Sequence, residues 1–265
     1  MNPSLYRCHD YKHLLERWRR VARAARLQWI PFAEADGYEL VMLRSRTSPD
    51  GGIYLSAGIH GDEPAGTEGL LSWAQEGGAG GVPCCLFPCL NPWGLVNNSR
   101  LDAAGRDLNR NFHVDDLPQI VALREMISPW RFALAMMLHE DYDGRGFYLY
   151  EIKRTSPTWG DDLLSLAANH LPIEDRATID GRRISRAGLI QRRYRAGAFP
   201  MLPEALYLHE HHSRRTFTLE TPSEFSLETR VRVQHLLVKT SVERALEEAA
   251  HRPVRRKRPR LQAAK

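Results

Sequence analysis

Leu55-Ser-Ala-Gly-Ile-His-Gly-Asp-Glu-Pro-Ala-Gly-Thr-Glu-Gly-Leu70 decides how the rest of the chain is read. A mostly apolar run from Ile53 to Ile59 ends in a polar turn, and Pro64 opens a helical stretch that reaches Gln75. Proline suits a first helical turn because the amide hydrogen it lacks has no partner there anyway. A strand feeding a helix through a short turn is the building unit of α/β proteins, whose sites lie at the carboxyl ends of strands. His60 and Glu63 stand in this turn. Gly58 and Gly61 let the backbone bend sharply enough for an imidazole and a carboxylate to converge on one cation.

Working outward, β-rich runs occur at Tyr38 to Leu43, Val82 to Leu90, Phe132 to Leu138, Phe147 to Ile152 and Thr216 to Leu219. Helical spacing marks Asp10 to Arg26, Leu117 to Ile127, Asp161 to Asn169 and Glu224 to Ala250. This alternation predicts an α/β sandwich: one domain over residues 1–250, with a mixed, largely parallel sheet flanked by helices. Residues 91–117 form a long connection with little regular pattern, and such loops inside a compact domain tend to be functional.

The same junction of apolar strand and polar turn recurs twice. Phe132 to Leu138 delivers His139, and Thr216 to Leu219 delivers Glu220. With His60 and Glu63, His139 makes a two-histidine, one-carboxylate set that leaves the fourth position of a zinc ion open, the catalytic arrangement. Glu220 is placed to act as a general base. The long connection carries Arg100, Arg106, Asn109 and Arg110, and guanidinium groups bind carboxylates in bidentate fashion and stabilise oxyanions. The substrate expected from this set is a small peptide or amide with a free carboxylate.

These segments resemble the zinc carboxypeptidase family, and in style its short bacterial members such as the murein peptide amidases. The resemblance rests on His60-Gly-Asp-Glu63, on Asn91-Pro-Trp-Gly94 with Arg100, on Asp107-Leu-Asn-Arg-Asn-Phe112, and on the distal His139 and Glu220. It implies an α/β fold in which His60, Glu63 and His139 hold Zn2+ and Glu220 is the general base. It further implies that Arg100 steadies the oxyanion while Asn109 and Arg110 hold the terminal carboxylate of the substrate. Asp62 stands where digestive members carry an arginine, and Trp93 replaces the usual aspartate of Asn-Pro-Asp-Gly. Tyr194 and Tyr207 are the candidates for the family's active-site tyrosine. Arg106-Asp-Leu-Asn-Arg110 also resembles the succinylglutamate desuccinylase and aspartoacylase branch, which implies N-acyl amino acid deacylation as the alternative activity.

Charge narrows the partners. The formal charge of +5 is carried by a tail, residues 251–265, with seven basic residues and no acid; outside it, 30 basic residues face 32 acidic ones. The tail reads as a solvated, disordered end, so nucleic acid is not an expected partner. No apolar span is long enough for a membrane helix or a signal core, and the expected location is cytoplasmic. Cys84, Cys85 and Cys89 lack a CxxC pair and read as small buried hydrophobes. His209, His211 and His212 are expected on a solvated helix end or loop. The acid-free stretch from Gly181 to Gly197, with Arg182, Arg183, Arg186, Arg192, Arg193 and Arg195, is expected to face water. The sharper reading is that some of these arginines select a second substrate carboxylate.

Overall fold

The computed structural model describes residues 7–46, 50–153, 157–179, 181–184, 186–192 and 201–251. Tyr194, Arg193, Arg195 and the tail beyond His251 lie outside the described residues, as do the side chains of Arg182 and Arg192. In chain order, α1 (Tyr11–Ala24) precedes β1 (Gln28–Ala35), β2 (Tyr38–Arg44), β3 (Asp50–Ala57), α2 (Pro64–Gln75) and β4 (Cys84–Phe87). Then come α3 (Pro92–Asn97), a 3-10 turn at Leu108–Arg110, α4 (Pro118–Ile127), β5 (Arg131–Asp141), β6 (Tyr148–Lys153) and α5 (Gly160–Ala167). The short β7 (Thr178–Ile179), β8 (Arg182–Arg183) and β9 (Leu189–Arg192) lead to α6 (Glu204–His211), β10 (Arg215–Pro222) and α7 (Leu227–Ala250).

Eight strands form one sheet in the order β1-β2-β4-β3-β5-β10-β6-β9. The centre is parallel, with β3 beside β4 and β5, and β5 beside β10. The β1–β2 hairpin and the β10–β6 pair are antiparallel, so the sheet is mixed, as the sequence predicts. Central strands covered on both faces must be apolar throughout, and every residue of β4 is buried. Alternate side chains serve opposite faces. Ile53, Leu55 and Ala57 pack in a core with Leu70, Leu71, Leu237 and Val238 of α2 and α7. Tyr54, Phe87 and Met137 pack in a second core with Ile120 and Leu123 of α4 and Leu208 of α6.

α1 has a local reason for its start: the Asp10 carboxylate accepts from the His13 N–H at 2.9 Å, a side-chain cap. Its inner face buries Leu14, Trp18 and Val21. Arg17 is also buried, because its guanidinium grips both oxygens of Glu68 on α2 at 2.8 and 2.7 Å. The three clustered cysteines are buried and reduced, and burial pushes the thiols of Cys84 and Cys89 up to about 12. None of the described helices is long and apolar enough to cross a membrane.

Candidate metal centre

β3 ends at Ala57, and six residues separate it from the start of α2 at Pro64. The turn between them is held open by glycine. Gly58 adopts a φ of +62°, which side chains disfavour, and Gly61 lies against the backbone of Gly94 with its N–H donating to the Ser99 carbonyl at 2.9 Å. Glu63 occupies the N-terminal boundary of α2, yet its side chain makes no cap bond. It turns instead to the two histidines: His60 Nδ1 lies 2.6 Å from one carboxylate oxygen and His139 Nδ1 2.8 Å from the other. All three residues are buried.

Cation ligands need this convergence. Among the described residues, His60, Glu63 and His139 form the group of histidines, cysteines and acids able to hold an ion, with ligand atoms within 4.8 Å of one another. Tetrahedral ligands about 2.1 Å from zinc stand roughly 3.4 Å from one another, so small rotations would bring the set onto one ion. The donors, two imidazoles and a carboxylate, suit zinc.

Electrostatics bind the group together. Burial opposes charge on Glu63 and on His60, and proximity wins. Glu63, despite burial, is held down at about 2 by His60 and His139 beside it. His60, which burial alone would lower, is held up at about 9 by Glu63 and Asp107. Asp107 bonds the far ring nitrogen of His60 at 3.1 Å and accepts from Arg100 at 3.0 Å. Sequence reasoning quoted Asp107 without giving it a task; a carboxylate on the second nitrogen of a ligand histidine fixes ring orientation.

Arg100 lies at the mouth of this group, 3.5 Å from Glu63, with 42% of its side chain exposed. Arg110 is half-buried; burial alone would raise the Asp107 carboxyl, but His60, then Arg100 and Arg110, hold it below the usual range. Asn109 is buried, and its carboxamide oxygen accepts from the Glu204 N–H at 3.1 Å. That bond fixes which end of the amide is nitrogen. The loop itself is strapped down, since the Phe112 N–H donates to the Leu202 carbonyl at 3.0 Å and the Leu202 N–H to the Arg110 carbonyl at 3.1 Å.

Strand register places the remaining acid. Glu220 pairs with His139 across the parallel β5–β10 ladder and with Tyr148 across the antiparallel β10–β6 ladder. Paired residues project to the same face, so His139, Glu220 and Tyr148 form one row. Tyr148 is buried and donates to Asp141 at 3.0 Å. Its burial first, and then the charge of Glu220, push the phenol far above its usual range.

Glu140 has a task the sequence did not reveal. It follows His139, points to the opposite face, and accepts from the Ala65 N–H of α2 at 2.6 Å while pairing with Arg230 of α7. It thus supplies the cap that Glu63 forgoes. Glu204 is another buried acid missed by sequence reasoning; the Tyr54 hydroxyl donates to it at 2.5 Å.

Other expectations fare differently. Tyr207 is half-buried and its ring contacts Phe112, His211 and His212, and Tyr194 lies outside the described residues. His209 and His212 are buried, not solvated, because the end of α6 packs on β5 and His212 bonds the Trp130 carbonyl at 3.0 Å. His211 alone of the three is largely exposed. Of the arginine-rich stretch, Arg183 is exposed and Arg186 pairs with Asp161 at 2.5 Å.

Residues 49–129 match the family model for the succinylglutamate desuccinylase/aspartoacylase catalytic domain. No curated protein matches the sequence. Among solved structures, a candidate metallopeptidase from Shewanella amazonensis superposes with a TM-score of 0.79 at 20% identity, over 90% of this chain and 94% of that one. A metallo-carboxypeptidase from Burkholderia cenocepacia gives 0.63 at 17% identity, over 90% and 69% of the two chains. Carboxypeptidase A from Helicoverpa armigera gives 0.62 at 14% identity, over 91% and 74%. The chain therefore has the zinc carboxypeptidase-like α/β fold, and the part of it that carries His60, Glu63, Arg100, Asn109 and Arg110 matches the succinylglutamate desuccinylase/aspartoacylase catalytic domain.

Proposed function

We propose that this chain is a zinc-dependent hydrolase that cleaves a carboxy-terminal peptide or amide bond in a small substrate bearing a free carboxylate. The observation that carries the reading is the row of His139 and Glu220 on adjacent strands beside His60 and Glu63. This pairing supports Glu220 as the base beside the proposed ligands.

When bound at His60, Glu63 and His139, zinc supplies Lewis-acid activation of water and of the scissile carbonyl. Glu220 takes a proton from the attacking water and delivers it to the leaving amine. Arg100, whose side chain is 42% exposed and bonded to Asp107, stabilises negative charge developing on the carbonyl oxygen. Arg110 and the amide nitrogen of Asn109 take the substrate carboxylate, with Asn109 already oriented by Glu204. Asp107 keeps His60 in the ring orientation that presents Nδ1 to the ion.

The family match over residues 49–129 favours a second reading, removal of an N-acyl group from an amino acid. The two share the ligands, the base and a carboxylate on the amine side of the scissile bond, and differ in the acyl side, a peptide in one and a small acyl group in the other. Metal analysis of the purified protein, followed by assays on a free-carboxylate peptide, its carboxy-terminal amide, N-acetylaspartate and succinylglutamate, separates them. Preference for the peptide over its amide supports the peptidase; turnover of the N-acyl amino acids alone selects the deacylase. Glu220→Gln is expected to lower turnover on the order of a hundredfold or more with metal content unchanged. Full turnover in that variant removes Glu220 from the mechanism.

A further inference from the structure

A second concentration of charge lies at the other end of β3. From Arg17 to Ala33 the sequence contains no acid and includes Arg19, Arg20, Arg23 and Arg26; from Arg44 to Pro49 it again contains none and includes Arg46. The fold brings the two stretches together, because Gln28 at the start of β1 pairs with Arg44 at the end of β2. Between them is a cavity of about 620 Å³ whose lining includes Arg19, Arg23, Arg26, Arg46 and Trp29.

All four arginines are exposed, and none of them takes part in an ion pair among the described residues. Their neighbours behave otherwise. Arg17 is consumed by Glu68, and Arg44 donates to the Gln28 side chain at 3.0 Å. The Arg19 guanidinium lies 4.9 Å from the centre of the half-buried Trp29 ring, a cation–π contact that holds this wall in place. Arg26 sits in a left-handed turn, φ +55°, which folds the chain tightly from α1 into β1 and sets its side chain on the rim.

Proximity to the carboxyl end of α1 offsets some repulsion for Arg23 and Arg26. It does nothing for Arg46, which comes from a different element. Four like charges around one concavity raise the local concentration of anions, and the guanidinium fork matches phosphate oxygens in bidentate geometry. A single carboxylate neutralises one charge of four. The volume lies within the range of small-ligand pockets, about 300–1,000 Å³. We propose that this cavity binds a small ligand carrying two or more phosphate groups, at a site separate from the metal centre. The eight residues of β3 put roughly 26 Å of strand between the two, at about 3.3 Å per residue.

Calorimetric titration of the full chain at fixed ionic strength tests it, with tripolyphosphate, pyrophosphate and orthophosphate as probes. Affinity should rise in the order orthophosphate, pyrophosphate, tripolyphosphate. The double variant Arg23→Ala, Arg46→Ala should lose at least tenfold in tripolyphosphate affinity while keeping the parent's melting temperature. Equal affinity of parent and variant overturns the proposal and assigns the binding to the basic tail or the metal centre. So does the absence of binding. Because nucleic acid and phosphoinositide headgroups offer the same chemistry, a single-stranded oligonucleotide and phosphoinositide vesicles form two further arms. Tighter binding of either than of tripolyphosphate, per phosphate, overturns the small-ligand assignment.

Discussion

Replacing Gly61 by alanine should damage the metal centre while leaving the protein folded. A Cβ built on Gly61 would lie 1.9 Å from the carbonyl carbon of Gly94, 2.1 Å from the nitrogen of Leu95 and 2.4 Å from the oxygen of Gly94. All three are backbone atoms, so no rotamer change relieves the clash. Reaching a normal carbon contact of about 3.5 Å requires the turn and α3 to separate by roughly 1.6 Å. Overpacking of this kind costs about 1–3 kcal/mol, against a typical total of about 5–15 kcal/mol; the variant therefore folds, with a melting temperature lower by roughly 2–12 °C. His60 is the adjacent residue and must follow the displacement. Misplacement of a reacting group by about 1 Å can lower a rate on the order of a hundredfold. Thermal denaturation, chelator competition for bound zinc and turnover on the preferred substrate measure the three effects. Parent-like zinc affinity and turnover in a variant of lowered melting temperature would refute the link between this close approach and the position of His60.

Three further outcomes follow from particular contacts. Asp107→Asn should weaken zinc binding about 10–100-fold in a chelator competition, the usual effect of losing the partner that orients a ligand histidine; unchanged affinity means that His60 is oriented by other contacts. Arg17→Met leaves the buried Glu68 without its guanidinium and should cost about 3–5 kcal/mol in urea unfolding, while Arg17→Met with Glu68→Leu should recover most of the loss. A double variant no more stable than the single one would contradict this account. Burial lowers the folded-state value of His212 below its ordinary 6.5, against a partial rise from its bond to Trp130. Because the unfolded chain then binds the proton more readily, His212 destabilises the fold as pH falls through 6.5 and below. His212→Asn should flatten the decline in stability in that acidic window; a decline of unchanged slope assigns the acid sensitivity to other groups.

Much of the fold can be read from the sequence because the central parallel strands are mostly apolar or β-branched and end where polar turns begin. The same rule exposes His60, Glu63, His139 and Glu220, each standing at such a boundary. β1 escapes it. It is an edge strand, only partly buried, and Pro31 breaks its pattern where the pairing with β2 shifts register, a place sheets tolerate proline. α6 is short and lacks a side-chain cap, so its sequence resembles a loop, and the burial of His209 and His212 depends on packing against β5. Asp107 and Glu140 show a different limit. Their residue types are visible, but Asp107 acts on a histidine 47 residues away and Glu140 on an amide 75 residues away. Only the register of strands and the path of the connecting loop bring these partners together.

The end of β5 sends consecutive side chains in opposite directions, His139 toward Glu63 and Glu140 to the first turn of α2, which begins directly after Glu63. Seating of that helix and assembly of the His–Glu–His group are thereby one event. An opening fluctuation that lifts α2 off β5 must break both connections at once. Amide protons in the first turn of α2 should accordingly exchange more slowly in the zinc-loaded protein, and a chelator would extract the ion no faster than this hinge opens.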